Sequence, residues 1–553
     1  MAVRTHCYGA SDVTHSTHDC LTEWNDRMSD STISINADSS RRTILIVGAG
    51  YAGLRFFAES LQLTISQQLC DSVRYVFVDK RPRETYGRGV AWASDQNPQM
   101  RTNMHIPEIT ADPATGKTVA EIVGLSYDHK PTASELFVRR EEVGAIFADQ
   151  FNKCEKIAIE NGVETFSLQD EVTDVNRIGI NYKITLASER QIVADFIVLA
   201  LGHISPTSYP DLFESKGYIR NPWAREDEIK EIAKDARVAI VGLGPTAVDT
   251  IIKLRDNGIP AVRAYSRTGA MQFPRPIPGK FSARLLTEEN LLAVHQTIGP
   301  LRLEFLRGMV ASEFLMQEVD WKPLLEAVAV SKNPPLDALR YGYANCNKVA
   351  DWFGLAATLT DVIPIAWHIL DERDREDFRK LHSELSNVLY GMAPSHALRI
   401  LKELEDRTLI IQGGLESVRH SNAEGQFTIK CKDGDIKIED KLDYVIDCTG
   451  FGRDLKLSST RLISSLLGKQ YIRPHRFGGA AVDFYSGQVE RSGGGHALRI
   501  YCLTGSLNIG CRFVTNGLGE VASSAHRTAR AIHSLLDDVE PNQTPLSVLG
   551  TLH

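Results

Sequence analysis

Thr43-Ile-Leu-Ile-Val47 runs directly into Gly48-Ala-Gly-Tyr-Ala-Gly53, and this junction decides the fold. A short apolar run with no polar interruption suits a strand buried on both faces of a parallel sheet. The glycine-rich turn is followed by Leu54-Arg-Phe-Phe-Ala-Glu-Ser-Leu61 at helical spacing, then by the second run Val73-Arg-Tyr-Val-Phe-Val78, which ends at Asp79. Strand, turn, helix, strand and acid is the order of a right-handed βαβ unit that binds a dinucleotide. Each residue type has a task. Gly48 permits the tight turn, Gly50 lets the backbone approach a pyrophosphate, and Gly53 lets the helix close on the strand. The backbone of Tyr51 and Ala52 opens the helix whose N-terminus faces the negative charge. Asp79, with Lys80 beside it, stands where a carboxylate meets the adenosine ribose.

The pattern then recurs. Arg237-Val-Ala-Ile-Val241 leads into Gly242-Leu-Gly-Pro-Thr-Ala247, a predicted helix over 248–256 and the strand Ala261-Val-Arg-Ala-Tyr265. Gly242, Gly244 and Ala247 repeat the mechanics of the first turn, with Pro245 and Thr246 opening the helix. This strand ends in Ser266-Arg267 and carries no acid. An arginine beside a hydroxyl can bind a 2′-phosphate that a carboxylate would repel, which favours NADPH over NADH. Two further apolar runs end in glycine, Phe196-Ile-Val-Leu-Ala-Leu-Gly202 and Tyr444-Val-Ile-Asp-Cys-Thr-Gly450, and a last strand reads Ile500-Tyr-Cys-Leu-Thr-Gly505. Residues 163–200 read as a β-meander that feeds back into the first sheet. Residues 285–405 read as long helical segments broken at Pro334-Pro335, Pro364 and Pro394.

The whole chain sets limits. Its 553 residues suffice for two or three cores. A formal charge of −8 and a pI near 6.1 give no reason to expect nucleic acid. No apolar run reaches membrane-spanning length. Residues 1–42 are polar, lack a signal-peptide core and read as a disordered tail, with Met28 as an alternative start. The nine cysteines include no C-x-x-C pair, and no histidine cluster marks a metal site, so a reduced, cytoplasmic, metal-free protein is expected. Ala111-x-x-x-x-Gly116-Lys117-Thr118 imitates a phosphate-binding loop, but the stretch before it contains Pro107 and is too polar for the buried strand such a loop must follow.

Tyr86-Gly-Arg-Gly-Val-Ala-Trp92 and Arg101-Thr-Asn-Met-His-Ile-Pro107, added to the two glycine turns, resemble the FAD/NAD(P)-binding flavoprotein family with paired Rossmann domains, which includes N-hydroxylating flavin monooxygenases. Asn221-Pro-Trp223, Ser266-Arg-Thr-Gly269 and Asp374-Arg-Glu-Asp-Phe378 match further landmarks, so the resemblance spans roughly 43–535. It implies an α/β chain of two Rossmann-like, three-layer ββα domains with a helical insertion. The FAD-binding domain occupies 43–205 and returns at 451–540. The NADPH-binding domain occupies 206–284 and returns at 406–450, and 285–405 forms the insertion that covers substrate. It also implies FAD contacts at Asn103, Gly202, Gly505 and Asn508, and an NADPH contact at Gly450. Characterised relatives hydroxylate amino acids such as aspartate at nitrogen, or urate. Where relatives carry a basic R-H-R element, this chain reads Val388-Leu-Tyr-Gly-Met-Ala-Pro394, so their substrate is not carried over.

Three functions are weighed. The first is an FAD-dependent, NADPH-consuming monooxygenase that takes O₂ and hydroxylates a small molecule at the nitrogen of an amino acid or amine. The flavin carries that chemistry, so no catalytic side chain is singled out. The second is an NAD(P)H-dependent flavin reductase that passes electrons to a quinone or partner protein; a disulfide reductase lacks its dithiol here. The third is a dinucleotide-binding regulator without turnover. Tyr341, Tyr343, Asn345, Asn347, Trp352 and Phe353 mark the insertion as a pocket wall, although aromatics at helical spacing usually pack a core. Homo-oligomerisation and substrate identity stay open.

Overall fold

The computed structural model describes residues 41–109, 117–124, 133–279, 281–360, 362–434, 436–490 and 497–537. Most of the expected tail, the alternative start at Met28, Ala111, Gly116 and residues 538–540 lie outside them.

The first sheet is parallel throughout, in the order β16-β7-β1-β2-β3. Its strands are β1 (Arg42–Val47), β2 (Val73–Asp79), β3 (Glu164–Gln169), β7 (Phe196–Leu199) and β16 (Ile500–Cys502). Ile44, Leu45 and Ile46 are fully buried, as a parallel strand covered on both faces requires. Helices α1 (Tyr51–Ser66) and α2 (Arg140–Glu160) cover one face together with a C-terminal helix, Leu518–Asp537. The other face carries a three-stranded antiparallel sheet, β4 (Val172–Ile178), β5 (Asn181–Leu186) and β6 (Gln191–Ala194). The expected meander is therefore only partly continuous: β3 joins the parallel sheet, and just these three strands form the antiparallel layer. The first strand also begins one residue before Thr43. Arg42 belongs to β1 because its N–H bonds Ser72 at 2.7 Å and its guanidinium meets Asp195 at 3.0 Å.

The second sheet, also parallel, runs β11-β10-β9-β15-β8. It comprises β8 (Tyr218–Ile219), β9 (Val238–Val241), β10 (Val262–Tyr265), β11 (Leu409–Gln412) and β15 (Tyr444–Asp447). Helix α3 (Pro245–Asp256) packs on it, and a second antiparallel sheet of β12 (Leu415–Ser421), β13 (Gln426–Asp433) and β14 (Ile436–Leu442) covers its other face. Each half thus has three layers.

Between β10 and β11 the chain forms short helices where the sequence suggests long ones: α4 (Glu288–Ile298), α5 (Leu303–Met316), α6 (Lys322–Val330), α7 (Pro335–Asn345), α8 (Ala350–Thr360), α9 (Ile363–Ile369), α10 (Arg375–Leu389) and α11 (Pro394–Glu405). Pro335, Pro364 and Pro394 sit in the first turns of α7, α9 and α11. They start helices, since proline lacks the N–H that a first turn leaves unbonded anyway. Later come α12 (Arg461–Gly468) and the C-terminal helix, α13 (Leu518–Asp537).

Candidate functional site

The two glycine turns are conformational twins. Gly48 and Gly242 both have φ +101°, a left-handed conformation that a side chain disfavours. A Cβ built on either would meet a backbone oxygen at 2.4 Å, that of Ala200 and of Cys448 respectively. Gly50 and Gly244 then begin α1 and α3 in nearly identical extended geometry, and neither helix has an acid in its first turn. Both helix N-termini are thus electrostatically open to a phosphate. Gly53 lies so close to the turn that a Cβ would stand 2.3 Å from the Gly48 oxygen.

Asp79 is tied into the first turn. One of its carboxylate oxygens accepts the Ala49 N–H at 2.8 Å and the other the Arg81 N–H at 2.9 Å. Each oxygen retains a lone pair for a ribose hydroxyl. Lys80 is exposed beside it, Ala52 is buried, and the Tyr51 ring packs on Phe147 at 4.5 Å, leaving only its backbone for the turn's task.

Gly202 and Gly505, far apart in sequence, come together at the carboxyl ends of β7 and β16. A Cβ on Gly505 would fall 2.0 Å from the Gly202 oxygen, which also accepts the Ser506 N–H at 3.1 Å. Asn508 follows, fully buried; its amide donates to Leu503 at 3.0 Å while its Oδ1 has no partner. Asn103 offers its carbonyl to Arg275 at 2.7 Å, and Arg275 also pairs with Glu108 at 2.7 Å, fastening this loop to the segment after β10. Glu108 holds His105 at 3.0 Å, and burial lowers the proton affinity of that imidazole.

In the second half, the space a Cβ would take at Gly244 or Gly450 is empty to 4 Å, room that a close-lying nucleotide needs. Pro245 is the first residue of α3, Thr246 accepts from the Trp223 indole at 3.5 Å, and Ala247 is buried. The Ser266 hydroxyl accepts the Gly269 N–H at 2.9 Å, and Arg267 is exposed at the end of β10. Among the described residues no His, Cys, Asp or Glu group is arranged to hold a metal ion, and no helix is long and apolar enough to cross a membrane. Cys448 and Cys502 are buried and free, and burial pushes the Cys502 thiol up to about 12.

Where the two halves meet, the residues that follow Gly202 and Gly450 touch. The His203 imidazole stacks on Phe451 with centroids 3.3 Å apart and planes 7° from parallel. The insertion docks on the segment after Gly505: the Trp367 indole on α9 donates to Gly510 at 2.9 Å and packs with Phe477 and Phe513. Trp352 and Phe353 are core residues of the insertion, whereas Tyr343 is 39% exposed.

Sequence reasoning passed over two features. Gly89 approaches the first turn so closely that a Cβ on Gly50 would meet its Cα at 3.1 Å; the repeated glycines of Gly87-Arg-Gly89 were the available signal. Thr102 and Thr515 are buried with unpartnered hydroxyls, and nothing in sequence marks them. Together with the Asn508 Oδ1, these orphaned polar atoms suit a large polar cofactor, because a buried oxygen without a partner is costly. The residues present therefore fit FAD.

Residues 45–204 match the family model described as FAD-NAD(P)-binding, so the first half carries an FAD-NAD(P)-binding domain. The described fold as a whole resembles that of two ornithine hydroxylases and a lysine monooxygenase of known structure. Ornithine hydroxylase from Pseudomonas aeruginosa superposes with a TM-score of 0.52 at 13% identity, covering 90% of this chain and 100% of that one. For L-lysine 6-monooxygenase from Pseudomonas syringae the values are 0.53, 14%, 89% and 99%. For ornithine N-hydroxylase from Kutzneria sp. 744 they are 0.51, 13%, 90% and 100%. No curated protein sequence matches the chain.

Proposed function

We propose that this protein is an FAD-dependent, NADPH-consuming monooxygenase that hydroxylates a small molecule at nitrogen. The observation that carries the reading is the contact of the two halves through His203 and Phe451, each one residue beyond the glycine that ends its sheet. That junction brings the loops after β7 and β15 together, as hydride transfer between two bound nucleotides would require, and the fold's likeness to an ornithine N-hydroxylase and a lysine 6-monooxygenase supports the same reading. Bound FAD supplies hydride acceptance from NADPH and the activation of O₂. The balance is R–NH₂ + O₂ + NADPH + H⁺ giving R–NHOH + H₂O + NADP⁺.

The chain's residues bind, orient and exclude water. The turns at Gly48–Gly53 and Gly242–Ala247 would hold the pyrophosphates of FAD and NADPH, Asp79 would accept from a ribose hydroxyl, and Asn103, Gly202, Gly505 and Asn508 would contact FAD. Arg267 with Ser266 selects the 2′-phosphate, and the insertion docked through Trp367 keeps water from the reacting centre. The test is NADPH oxidation screened against amines, amino acids and purines under ¹⁸O₂. One labelled oxygen per product, and a fall of about tenfold in NADPH affinity in Arg267→Ala with NADH unaffected, are expected. NADPH oxidation without label in any product, but with electrons reaching a quinone, would make the protein a reductase.

A further inference from the structure

A cavity of about 400 Å³ opens between α10 and the loops that follow β15 and α12. Its lining is strongly basic. Arg379, Arg453, Lys456 and Arg476 contribute four cations, and Asp454 the single carboxylate. Arg379 and Arg476 keep outside partners, Glu376 and Glu372, neither of which lines the cavity. Among the described residues no carboxylate pairs with the side chain of Arg453 or Lys456. Arg453 is exposed, yet desolvation by the surrounding lining, together with the nearby Arg379, lowers its proton affinity. Crowded cations of this kind are stabilised by an anion arriving from solution.

The cavity also adjoins the flavin-side segment. Its floor residue Phe477 packs with Trp367 and Phe513. His475 and Gly478 press on Gly510 so closely that a Cβ there would lie 2.1 Å from the imidazole. The next residue, Gly479, lies against the Ser506 and Leu507 oxygens, and Ala480 donates to Leu507 at 2.5 Å. The volume suits a small molecule, within the usual ~300–1,000 Å³ of such sites.

We propose that this cavity binds the anionic end of a small-molecule substrate, a carboxylate or a phosphate, beside the flavin segment. The assignment to substrate rests on the monooxygenase reading; the anion site itself does not. Arg453 is the central binding residue, with Arg379 and Lys456 flanking it, and a diamine without an acidic group meets a single carboxylate, Asp454, against four cations.

The full-length FAD-loaded protein is titrated calorimetrically, at constant ionic strength, with succinate, with inorganic phosphate and with 1,5-diaminopentane. Succinate or phosphate should bind and identify which anion the site takes, while the diamine should not. Arg453→Gln should weaken the bound anion about tenfold or more, and Arg453→Lys less. Flavin content and NADPH affinity should be unchanged in both. Lys456→Gln, at a position exposed like that of Arg453, gives a smaller loss and reads the same site if Arg453→Gln misfolds. The proposal is overturned if neither anion binds the wild type, if the variants bind it equally well, or if NADPH weakens in parallel, which would assign the cavity to the dinucleotide. A protein that binds the anion yet incorporates no oxygen would refute the monooxygenase and leave the anion site standing.

Discussion

Arg140 on α2 donates to Asp249 on α3 at 2.8 Å, a buried ion pair that joins the first nucleotide-type half to the second. It is the centre of a larger seam. Arg140 also donates to the Arg101 carbonyl at 2.8 Å, His396 on α11 reaches the Gln99 carbonyl at 3.1 Å, and Lys253 on α3 bonds Gln96 at 2.6 Å and Glu226 at 2.5 Å. Trp223 lies beneath both cations, 4.9 Å from the Arg140 guanidinium and 4.7 Å from the Lys253 ammonium. Removing one partner of such a pair leaves an uncompensated buried charge, at a cost of about 3–5 kcal/mol. Asp249→Ala should lower unfolding stability by that amount, measured by urea denaturation. The double variant Arg140→Met/Asp249→Leu should recover most of it. A cost under about 1 kcal/mol for Asp249→Ala would mean that water reaches the seam.

Gly53 and Gly244 should respond to a methyl group in opposite ways. Gly53→Ala forces a Cβ against the Gly48 oxygen, so a loss of about 1–3 kcal/mol or more and poor flavin retention are expected. At Gly244 nothing stands within 4 Å, so Gly244→Ala should melt with the wild type while the KM for NADPH rises. Equal melting losses in the two variants would contradict this.

His203 gives the interface an acid sensitivity. Burial holds its imidazole down at about 4, against an ordinary value of 6.5, so the ring stacked on Phe451 is neutral at physiological pH. Between those values the unfolded chain binds the additional proton. Its contribution to stability is therefore complete above the ordinary value and is lost as pH falls toward the folded one. His203→Phe keeps a stacking ring and has no proton to gain. Its melting temperature, relative to wild type, should rise steadily from pH 7 to pH 5; a constant difference would show that His203 does not titrate on unfolding.

The fold was legible because its signals are local. Gly48-Ala-Gly-Tyr-Ala-Gly53 and Gly242-Leu-Gly-Pro-Thr-Ala247 each place strand, turn and helix within one short window, and their two geometries agree to a few degrees. The site was legible only where a motif is itself local. Arg140 and Asp249 are 109 residues apart, and no periodicity links them. The basic cavity draws on a helix of the insertion and on two loops of the returning chain, so the sequence shows scattered arginines where the fold shows one surface. The breaks expected at Pro334-Pro335, Pro364 and Pro394 fall where α7, α9 and α11 begin, because a proline that stops one helix is equally suited to start the next.

The central position of β7 and β1, with β16 supplied from near the other end of the chain, has a consequence for synthesis. When Leu199 leaves the ribosome, the first sheet still lacks its edge strand, and α1 lacks the α13 partner that brings His533 to Ser60 at 3.0 Å. Roughly 300 more residues must be translated before Ile500 arrives, which at ~5–20 residues per second takes on the order of 15–60 s. During that interval the β7 edge and the apolar flank of α1 stand open, inviting chaperones or neighbouring nascent chains. The second sheet, whose strands all lie between Tyr218 and Asp447, can close first, so the half that begins the chain is the half finished last.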